Sequence, residues 1–440
     1  MKKARFFYEM NYFLIVLLGW LLLFNKAIEV NEKNKKNEKA TFVKELPGIA
    51  GAGIALLKEG LYQEKIALQT KEAAAPLKAT SCAAQKQIRV LLMDSDYQSY
   101  YHSWVALTVN GVDYEYTSDS QELQDQSLIL EGGEEGIAVT SIKRQENPPV
   151  YYGTLEIRNT AQGLLLINEL SLEAYLEGVV PSEMLSSYEE QALMAQAVCA
   201  RTYAVRQMEE GSLQKEYKAD VDDSVNFQVY GNIAPTEKTS KAVKETCGQI
   251  MCQNGEPVAA YYFSTSSGKT STDEIWGVTP ASYLKSVECS FDQNAPWSSW
   301  KVSVPWRTLE ERAAALMDCE DLRGIQVTKK SDSGAVIGLQ VVGEKGELLL
   351  EGEYEIREFL SPKGQVITEK NGSTVTGGSL LPSAYFELKV NKGDCVEITG
   401  GGFGHGVGMS QTAANEMAKE GYSWQEILEY FFRDITFEKY

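Results

Sequence analysis

The stretch LEAYLEGVVPSEM at residues 172–184 and the helical pattern after it decide how this chain is interpreted. Its last acidic residue, Glu183, follows Pro181 and Ser182, in what the pattern predicts to be a loop between two helices. A carboxylate in such a loop either caps the second helix or is a chemical group held in a cleft. The rest of the sequence distinguishes these two interpretations.

The next segment, SSYEEQALMAQAVCARTYAVRQMEE at 186–210, predicts a helix that starts at about residue 188 and runs for about twenty residues. Ser187 and Glu190 fit the S-x-x-E capping box. An apolar stripe of small residues that allows close packing recurs along it: Leu193, Ala197, Ala200 and Ala204. Because Ser187 already fills the capping role, the cap interpretation of Glu183 is weakened.

Composition and net charge set the size of the core and exclude a nucleic-acid-binding protein. The 440 residues are 43% hydrophobic and 10% aromatic, so the chain can bury a large core in two or three globular units. A formal net charge of -19 argues against nucleic acid as a partner, because proteins that bind a phosphate backbone carry basic patches. No nucleic-acid partner is expected.

The N-terminus predicts a membrane anchor within residues 1–25. Residues 2–5 (KKAR) are basic and residues 12–24 (YFLIVLLGWLLLF) carry no charge. No small-residue cleavage site follows closely, which favours an uncleaved signal anchor over a removed signal peptide. The Lys-rich run NEKNKKNEK behind it leaves the orientation open on charge alone, and residues 26–86 are predicted to form a stalk.

Seven cysteines are too few and too scattered for a disulfide scaffold, and the odd count leaves at least one unpaired. Cys247 and Cys252 have a C-x4-C spacing that fits a disulfide, half a metal site or two cysteines on a strand. With two histidines in the whole sequence, the metal interpretation is weak.

The remaining pattern predicts an α+β fold, with helical and β elements around a central cleft. Short β-like runs begin at residue 87, so the core is placed at 87–305, and QNGE predicts a hairpin turn near its end. Residues 306–395 alternate one helix with several strands and form a smaller, mainly β lobe or an insertion. Residues 396–440 add a glycine-rich loop and two helices that complete the core. Gly421 is a predicted C-cap of the first helix, and Ser423 with Glu426 a capping box of the second.

Three clusters could carry chemistry: VVPSEM, FSTSSGK at 263–269 and GGGFGHGVGMSQ at 400–411. In the third, six glycines surround His405 and allow backbone and ligand to approach closely. A serine hydrolase could use His405 with one of several serines (264, 266, 267 or 410), but no G-x-S-x-G elbow is present. A phosphate loop is excluded because GGGFGHG lacks the G-K-[ST] tail.

In this order, and together with the N-terminal anchor, these clusters resemble the stage II sporulation protein D family (the SpoIID/LytB domain). The matching stretches are LEAYLEGVVPSEM, ALMAQAVCARTYAV, YYFSTSSGKT with the following WG and SYLKSVE, and GGGFGHGVGMSQTAANEMAKEGYSWQEILEYFF. The resemblance covers roughly residues 87–440. Four ordered motifs together are specific, whereas any one of them is weak.

The resemblance implies a lytic transglycosylase that cuts peptidoglycan glycan strands, notably strands without stem peptides, during engulfment of the forespore. It makes Glu183 the catalytic acid/base. One carboxyl group can protonate the glycosidic oxygen and then deprotonate the 6-hydroxyl of the same sugar, which closes a 1,6-anhydro ring. Because this internal nucleophile replaces water, a second carboxylate is not required, and no metal or other cofactor is expected.

Six other positions carry over as substrate-binding residues: Gln196, Arg201, Ser264, Ser266, Tyr283 and His405. Arg201 matches an arginine that faces the cleft, Tyr283 an active-site tyrosine, and the two serines and His405 cleft-lining positions. For Gln196, in the A-Q-A segment, and for Tyr283, packing or helix solvation is the alternative. The resemblance also implies an extracytoplasmic catalytic part, with KKAR inside, and partner wall hydrolases such as an amidase. Some relatives are described as amidase enhancers, so a non-catalytic wall-binding module is the competing interpretation.

Two departures from the family pattern affect these expectations. Met194 stands where members commonly have Lys, which removes a cation near the cleft. Some members carry a C-D-x-x-H-C zinc cluster before Q-V-Y, whereas this chain has Asp222, Asn226 and Phe227 at the corresponding positions. Zinc is therefore not predicted, and other contacts must hold this loop.

Overall fold

The computed structural model describes residues 86–440, except 125–126, 145–147, 232 and 318–320. The predicted anchor and nearly all of the predicted stalk lie outside these residues. Within the described part of the chain, no helix is both long enough and apolar enough to cross a membrane.

The fold is mixed α+β, as predicted, with eight α-helices in the described residues. These helices are α1 Leu172–Glu183, α2 Glu190–Glu210, α3 Gln214–Tyr217, α4 Glu237–Glu245, α5 Trp306–Leu316, α6 Glu353–Phe359, α7 Gln411–Lys419 and α8 Trp424–Phe431. The strands of the first part are β1 Gln87–Leu92, β2 Trp104–Val109, β3 Val112–Thr117, β4 Leu128–Glu131, β5 Ile137–Ala138, β6 Val150–Tyr151, β7 Thr154–Thr160, β8 Gly163–Ser171, β9 Val221–Asp222, β10 Gln249–Gln253, β11 Glu256–Pro257 and β12 Tyr262–Phe263. The later strands are β13 Trp300–Pro305, β14 Leu322–Lys330, β15 Val336–Gly343, β16 Glu347–Glu351, β17 Val366–Glu369, β18 Thr374–Thr376, β19 Phe386–Asn391, β20 Cys395–Gly400, β21 Met409–Ser410 and β22 Thr436–Lys439.

A five-stranded sheet of order β4-β7-β8-β1-β9 precedes the helix that contains Glu183. The longest of its strands, β8, pairs antiparallel with β1 and runs directly into helix α1. On the other side of β1, the short strand β9 pairs in parallel and brings residues 221–222 to the sheet edge. A second sheet, β3-β2-β5-β6, shares the same hydrophobic core.

Helix α2 runs through the middle of this core. The predicted stripe of small residues is fully buried along it, as are most of its other residues up to Val205. The helix ends at Gly211, which adopts a left-handed conformation (φ 62°). Helices α1, α4, α7 and α8 contribute buried residues to the same core.

The start of α2 differs from the prediction. The helix begins at Glu190, its N-cap is Glu189, and no side chain caps it, so the Ser187 capping box is wrong. The Glu189 backbone N–H instead donates to Asn415 Oδ1 on α7, at 2.8 Å. A contact 226 residues away in sequence thus replaces the local cap.

The predicted hairpin and the predicted C-terminal helices are present. Strands β10 and β11 are joined by Asn254 and Gly255, both with positive φ, as the Asn-Gly turn requires. Helix α8 has the predicted capping box between Ser423 and Glu426. The predicted C-cap of α7 at Gly421 is wrong by one residue: the C-cap is Glu420, and Gly421 follows it with a positive φ of 95°.

The second lobe has its own hydrophobic core, which draws on residues between Trp297 and Phe403. It contains a five-stranded sheet, β18-β17-β13-β20-β19, and a three-stranded sheet, β14-β15-β16. Helix α5 corresponds to the predicted helix of this lobe, and α6 also packs into its core.

The cysteines resolve one open alternative. Cys247 is disulfide-bonded, whereas Cys252 carries a free thiol, so these two cysteines do not pair with each other. Cys199, Cys289 and Cys395 are free as well, and the two remaining cysteines are Cys82, outside the described residues, and Cys319, in one of the gaps.

Candidate active site

Glu183 is the last residue of α1, so the prediction that it lies in a loop is wrong. Ser171 caps the start of this helix by accepting from the Ala174 backbone N–H. Pro181 lies inside the helix, where it cannot donate to a carbonyl one turn earlier, and the helix ends two residues later. Glu183 is therefore attached to a rigid element at its C-terminal end.

The Glu183 side chain is buried, with 2% of its surface exposed. Its Oε1 accepts a hydrogen bond from the Val229 backbone N–H at 2.7 Å. Its own backbone carbonyl accepts from Gln411 Nε2 at 3.1 Å, at the start of α7. Glu183 thus joins α1 both to the segment after β9 and to the glycine-rich loop.

Three tyrosines lie close enough to Glu183 to respond to its charge: Tyr175, Tyr203 and Tyr262. Burial raises the pKa of each hydroxyl well above its ordinary value, and the negative charge of Glu183 adds to the increase. These hydroxyls therefore remain protonated and can act as hydrogen-bond donors.

Three glutamines complete the surroundings of the carboxyl group. Gln228 accepts from the Tyr175 hydroxyl at 3.3 Å and donates to the Tyr262 hydroxyl at 3.1 Å. Gln411 donates to Gln196 Oε1 at 3.2 Å. The Gln196 amide nitrogen is buried and has no hydrogen-bond partner among the described residues. Gln196 thus lies in the same network as Glu183 and offers an amide donor.

The other two sequence clusters lie side by side. Strand β12 pairs in parallel with β21, and Thr265 exchanges backbone hydrogen bonds with Phe403. The buried Asp292 joins the clusters through its carboxylate, which accepts from the Ser266 backbone N–H at 2.8 Å and from the Ser410 hydroxyl at 3.1 Å. FSTSSGK and GGGFGHGVGMSQ therefore form one structural unit next to α7.

In this unit the glycines allow two backbones to approach each other. A Cβ on Gly408 (φ 81°) would lie 2.0 Å from the Tyr261 carbonyl oxygen. That carbonyl accepts from the Met409 backbone N–H at 3.0 Å. The close approach thus fixes the position of β21, which immediately precedes Gln411.

We expect Gly408→Ala to reduce stability by about 1–3 kcal/mol more than a control substitution, because the new methyl group overlaps the Tyr261 carbonyl. The control is Gly372→Ala, at a turn with a similar φ of 86°, where the new methyl group would meet no atom within 4 Å. Both variants share the cost of a positive φ, so urea unfolding of the two isolates the overlap. Equal stability of the two variants would contradict this account.

Of the predicted substrate-binding residues, Ser264 is half-buried and Ser266 is buried. The Ser264 carbonyl accepts from the Thr412 backbone N–H at 2.9 Å, and its hydroxyl lies 3.3 Å from that of Thr265. The Ser266 hydroxyl accepts from the Gly268 backbone N–H at 3.1 Å. Both residues thus connect the strand end to its neighbours.

Arg201 is fully buried and does not face a cleft. Its guanidinium group forms two hydrogen bonds of 2.7 Å with the carboxylate of Glu173 on α1. It also donates to the backbone carbonyls of Gln249 at 3.2 Å and Val243 at 3.3 Å. The geometry of Arg201 is that of an interior ion pair that connects α2 with α1, α4 and β10.

Tyr283 is half-buried, and its hydroxyl accepts from the Ala259 backbone N–H at 2.9 Å and from Arg206 Nη1 at 3.4 Å. The first of these contacts lies on the connection between β11 and β12. None of the contacts described for Tyr283 involves Glu183.

His405 is buried among aromatic rings and does not line a cleft. Its Nδ1 accepts from the Val407 backbone N–H at 3.0 Å, and the ring also bonds to the Tyr262 backbone. The ring centroid of Trp276 lies 5.3 Å away and that of Phe263 5.7 Å away. Because these contacts occupy the imidazole, the Ser-His arrangement of a serine hydrolase is not formed.

We expect His405 to remain neutral between pH 5 and 8. Burial lowers the pKa of its imidazole from 6.5 to about 4. Since the unfolded chain binds this proton at higher pH than the folded chain, the free energy of unfolding decreases as the pH falls from about 6.5 to 4. The sequence contains two histidines, so ring-proton NMR of the chain and of His405→Asn assigns both signals. Titration of the His405 signal near pH 6.5 would contradict the prediction.

Five side chains around Glu183 were not singled out from the sequence: Tyr175, Tyr203, Gln228, Tyr262 and Gln411. Each lies inside or beside a motif that the sequence analysis quoted, in LEAYLEG, ARTYAV, QVY, YYF and GMSQ. Their convergence depends on contacts between segments far apart in sequence, which no local pattern carries. Among the described residues, no group of three or more His, Cys, Asp or Glu side chains could hold a metal ion.

Comparisons with known proteins identify similar sequences. A family model described as stage II sporulation protein matches residues 160–252, and a model for a domain of unknown function, DUF8618, matches residues 299–408. The chain is 34% identical over 280 residues to stage II sporulation protein D of Bacillus subtilis (strain 168), covering 61% of this chain and 74% of the relative. It is 32% identical over 282 residues to the protein of the same name from Bacillus amyloliquefaciens, with the same coverage.

A more distant relative has another name. The amidase enhancer of Bacillus subtilis (strain 168) is 27% identical over 298 residues, which cover 60% of this chain and 40% of that protein. The identity and coverage of the first two relatives decide the family: this chain belongs to the stage II sporulation protein D family.

Proposed function

We propose that this chain is a lytic transglycosylase that cleaves peptidoglycan glycan strands to 1,6-anhydro-muramic products, with Glu183 as the catalytic acid/base. The observation that carries the proposal is the buried carboxyl group of Glu183 at a helix end, with one oxygen fixed by the Val229 N–H at 2.7 Å. This contact orients the carboxyl group for proton transfer, and the transfer requires the side chains that cover Glu183 to open so that a glycosidic oxygen comes within hydrogen-bond reach.

Neutral hydrogen-bonding side chains around Glu183 support the binding of a glycan. The tyrosine and glutamine side chains are uncharged, and the buried Gln196 amide nitrogen is a donor that has no partner among the described residues and can bond a sugar oxygen once the site opens. Neutral donors can hold hydroxyl and acetamido groups of a glycan without competing for the proton that Glu183 must transfer.

We propose that the substrate is glycan without stem peptides, that the reaction takes place during engulfment in sporulation, and that the catalytic part is outside the cytoplasmic membrane. The family role in sporulation supports the setting. The disulfide at Cys247 supports an oxidising, extracytoplasmic location. The apolar run at residues 12–24 would supply the membrane anchor, with KKAR inside.

A second candidate is a non-catalytic module that binds the wall and recruits or enhances an amidase. The relative named amidase enhancer favours it. So does the 2% exposure of Glu183, because a carboxyl group that stays this buried cannot reach a glycosidic oxygen. The two candidates differ in whether new anhydro ends appear.

The experiment incubates the purified full-length chain with glycan strands, with and without stem peptides, and analyses the products by mass spectrometry. Anhydro-ended fragments from strands without stem peptides support the transglycosylase. Binding to strands without any new fragment, together with faster cleavage by an added amidase, would establish the recruiting module instead.

A further inference from the structure

The loop of residues 223–230 supplies two of the groups that lie around Glu183. Val229 donates its N–H to Glu183 Oε1, and Gln228 bonds the hydroxyls of Tyr175 and Tyr262. The loop ends lie together, because the Tyr230 N–H points to the Asp223 carbonyl at 3.5 Å. Whatever fixes Asp223 therefore also fixes the position of Val229.

Asp223 is fixed by Arg144, and both side chains are completely buried. Arg144 Nη2 lies 2.7 Å and Nε 3.2 Å from Asp223 Oδ2. The other carboxylate oxygen, Oδ1, accepts from the Met93 backbone N–H at 2.9 Å. Each oxygen of the carboxylate thus has a donor.

Arg144 also contacts the segment that follows β1. Its Nη2 donates to the Met93 carbonyl at 2.8 Å and its Nη1 to the Asp94 carbonyl at 3.0 Å. The guanidinium carbon lies 4.0 Å from the centroid of the Tyr97 ring. Arg144 therefore connects the segment after β1 to the loop that holds Glu183.

We propose that Arg144 and Asp223 form a positioning pair that holds the loop of residues 223–230 against β1, so that the Val229 N–H keeps the Glu183 carboxyl group oriented. This inference rests on the proposed role of Glu183. Arg144 and Asp223 do not touch the substrate in this proposal, and they act through Val229.

The chemistry of the pair fits positioning better than stabilisation. A buried ion pair contributes little to stability relative to apolar residues of similar volume, but it specifies geometry when every donor and acceptor is used. The planar guanidinium bonds Asp223 and three backbone carbonyls, those of Met93, Asp94 and Lys143, at the same time, which a lysine ammonium on a flexible chain cannot reproduce. Arg144→Lys therefore keeps the charge and loosens the loop.

The test compares full-length wild type, Arg144→Lys and a matched control, Arg357→Lys. The control changes another completely buried pair, Arg357 with Glu353, at 2.8 Å in the second lobe. We expect amide hydrogen exchange in the 224–231 peptide to accelerate about tenfold or more in Arg144→Lys only. On glycan without stem peptides, kcat should fall about 100-fold in Arg144→Lys, with KM nearly unchanged.

If Arg144→Lys does not fold, Asp223→Asn removes one charge while it keeps the shape of the side chain and takes its place in both measurements. Unchanged exchange in the 224–231 peptide of a folded variant would overturn the proposal. So would faster exchange with an unchanged kcat. If wild type forms no anhydro ends, the proposed function fails, and the exchange measurement alone then decides whether the pair fixes the loop.

Discussion

Glu183→Gln is expected to lower the rate of glycan cleavage by about 10²–10⁴-fold, the range in which a general acid/base contributes to an enzymatic rate. The amide has nearly the shape of the carboxyl group and can still accept the Val229 N–H through its carbonyl oxygen. It cannot donate a proton to the leaving oxygen or remove one from the 6-hydroxyl. Binding of the strands should therefore remain, while anhydro-ended fragments disappear in mass spectrometry.

A matched control lies on the same helix. Glu177 is also buried, accepts from the Ser240 hydroxyl at 3.0 Å, and has a pKa raised to about 7, chiefly by burial. Glu177→Gln makes the same chemical change six residues earlier and should retain cleavage. If both variants lose activity equally, or if Glu183→Gln still produces anhydro ends, Glu183 is not the acid/base.

The ionisation of Glu177 makes the stability of the folded chain depend on pH. Because its pKa is raised in the folded chain, the folded chain binds the proton more strongly than the unfolded chain between about pH 4.5 and 7. The free energy of unfolding therefore decreases over this range as the pH rises. Urea unfolding of wild type and of Glu177→Gln at about pH 4.5 and 7 measures this dependence, which only the chain with Glu177 should show.

Local sequence signals predicted those parts of the fold that local contacts determine. The Asn-Gly turn at Asn254 and the capping box at Ser423 depend on residues within three positions, and both are present. The cap at Ser187 failed because Asn415, far away in the chain, satisfies the backbone there. Helix α1 continues through Pro181, which loses its own backbone hydrogen bond, and the Met184 N–H closes the helix by donating to the Val180 carbonyl.

The sequence predicted only part of the candidate site, because the rest depends on contacts between segments that are far apart in the chain. The motif VVPSEM identifies Glu183, but the backbone N–H that bonds its carboxyl group belongs to Val229, 46 positions later. The position of Arg201 on α2 gives no indication that Glu173, 28 positions earlier, occupies its guanidinium group. A helical period places a residue on a face, and only the packing of other elements decides whether that face is a cleft or an interior.

Arg201→Met is expected to reduce the free energy of unfolding by about 3–5 kcal/mol, because it leaves the Glu173 carboxylate without its charged partner in the interior. The Arg201 side chain is completely buried and that of Glu173 is 11% exposed, so water cannot replace the lost contacts. The backbone carbonyls of Gln249 and Val243 lose donors as well. Urea unfolding of wild type and variant measures the difference.

A double variant separates this structural role from the substrate-binding role that the family resemblance implies. Arg201→Met with Glu173→Met removes both charges, and since an apolar pair of similar volume can replace a buried ion pair, it should recover much of the lost stability. If Arg201 only holds α2 to α1, the double variant should also bind glycan strands as wild type does. A single variant that is as stable as wild type but binds glycan more weakly would reverse the assignment, because Arg201 would then have to leave Glu173 and turn toward the substrate.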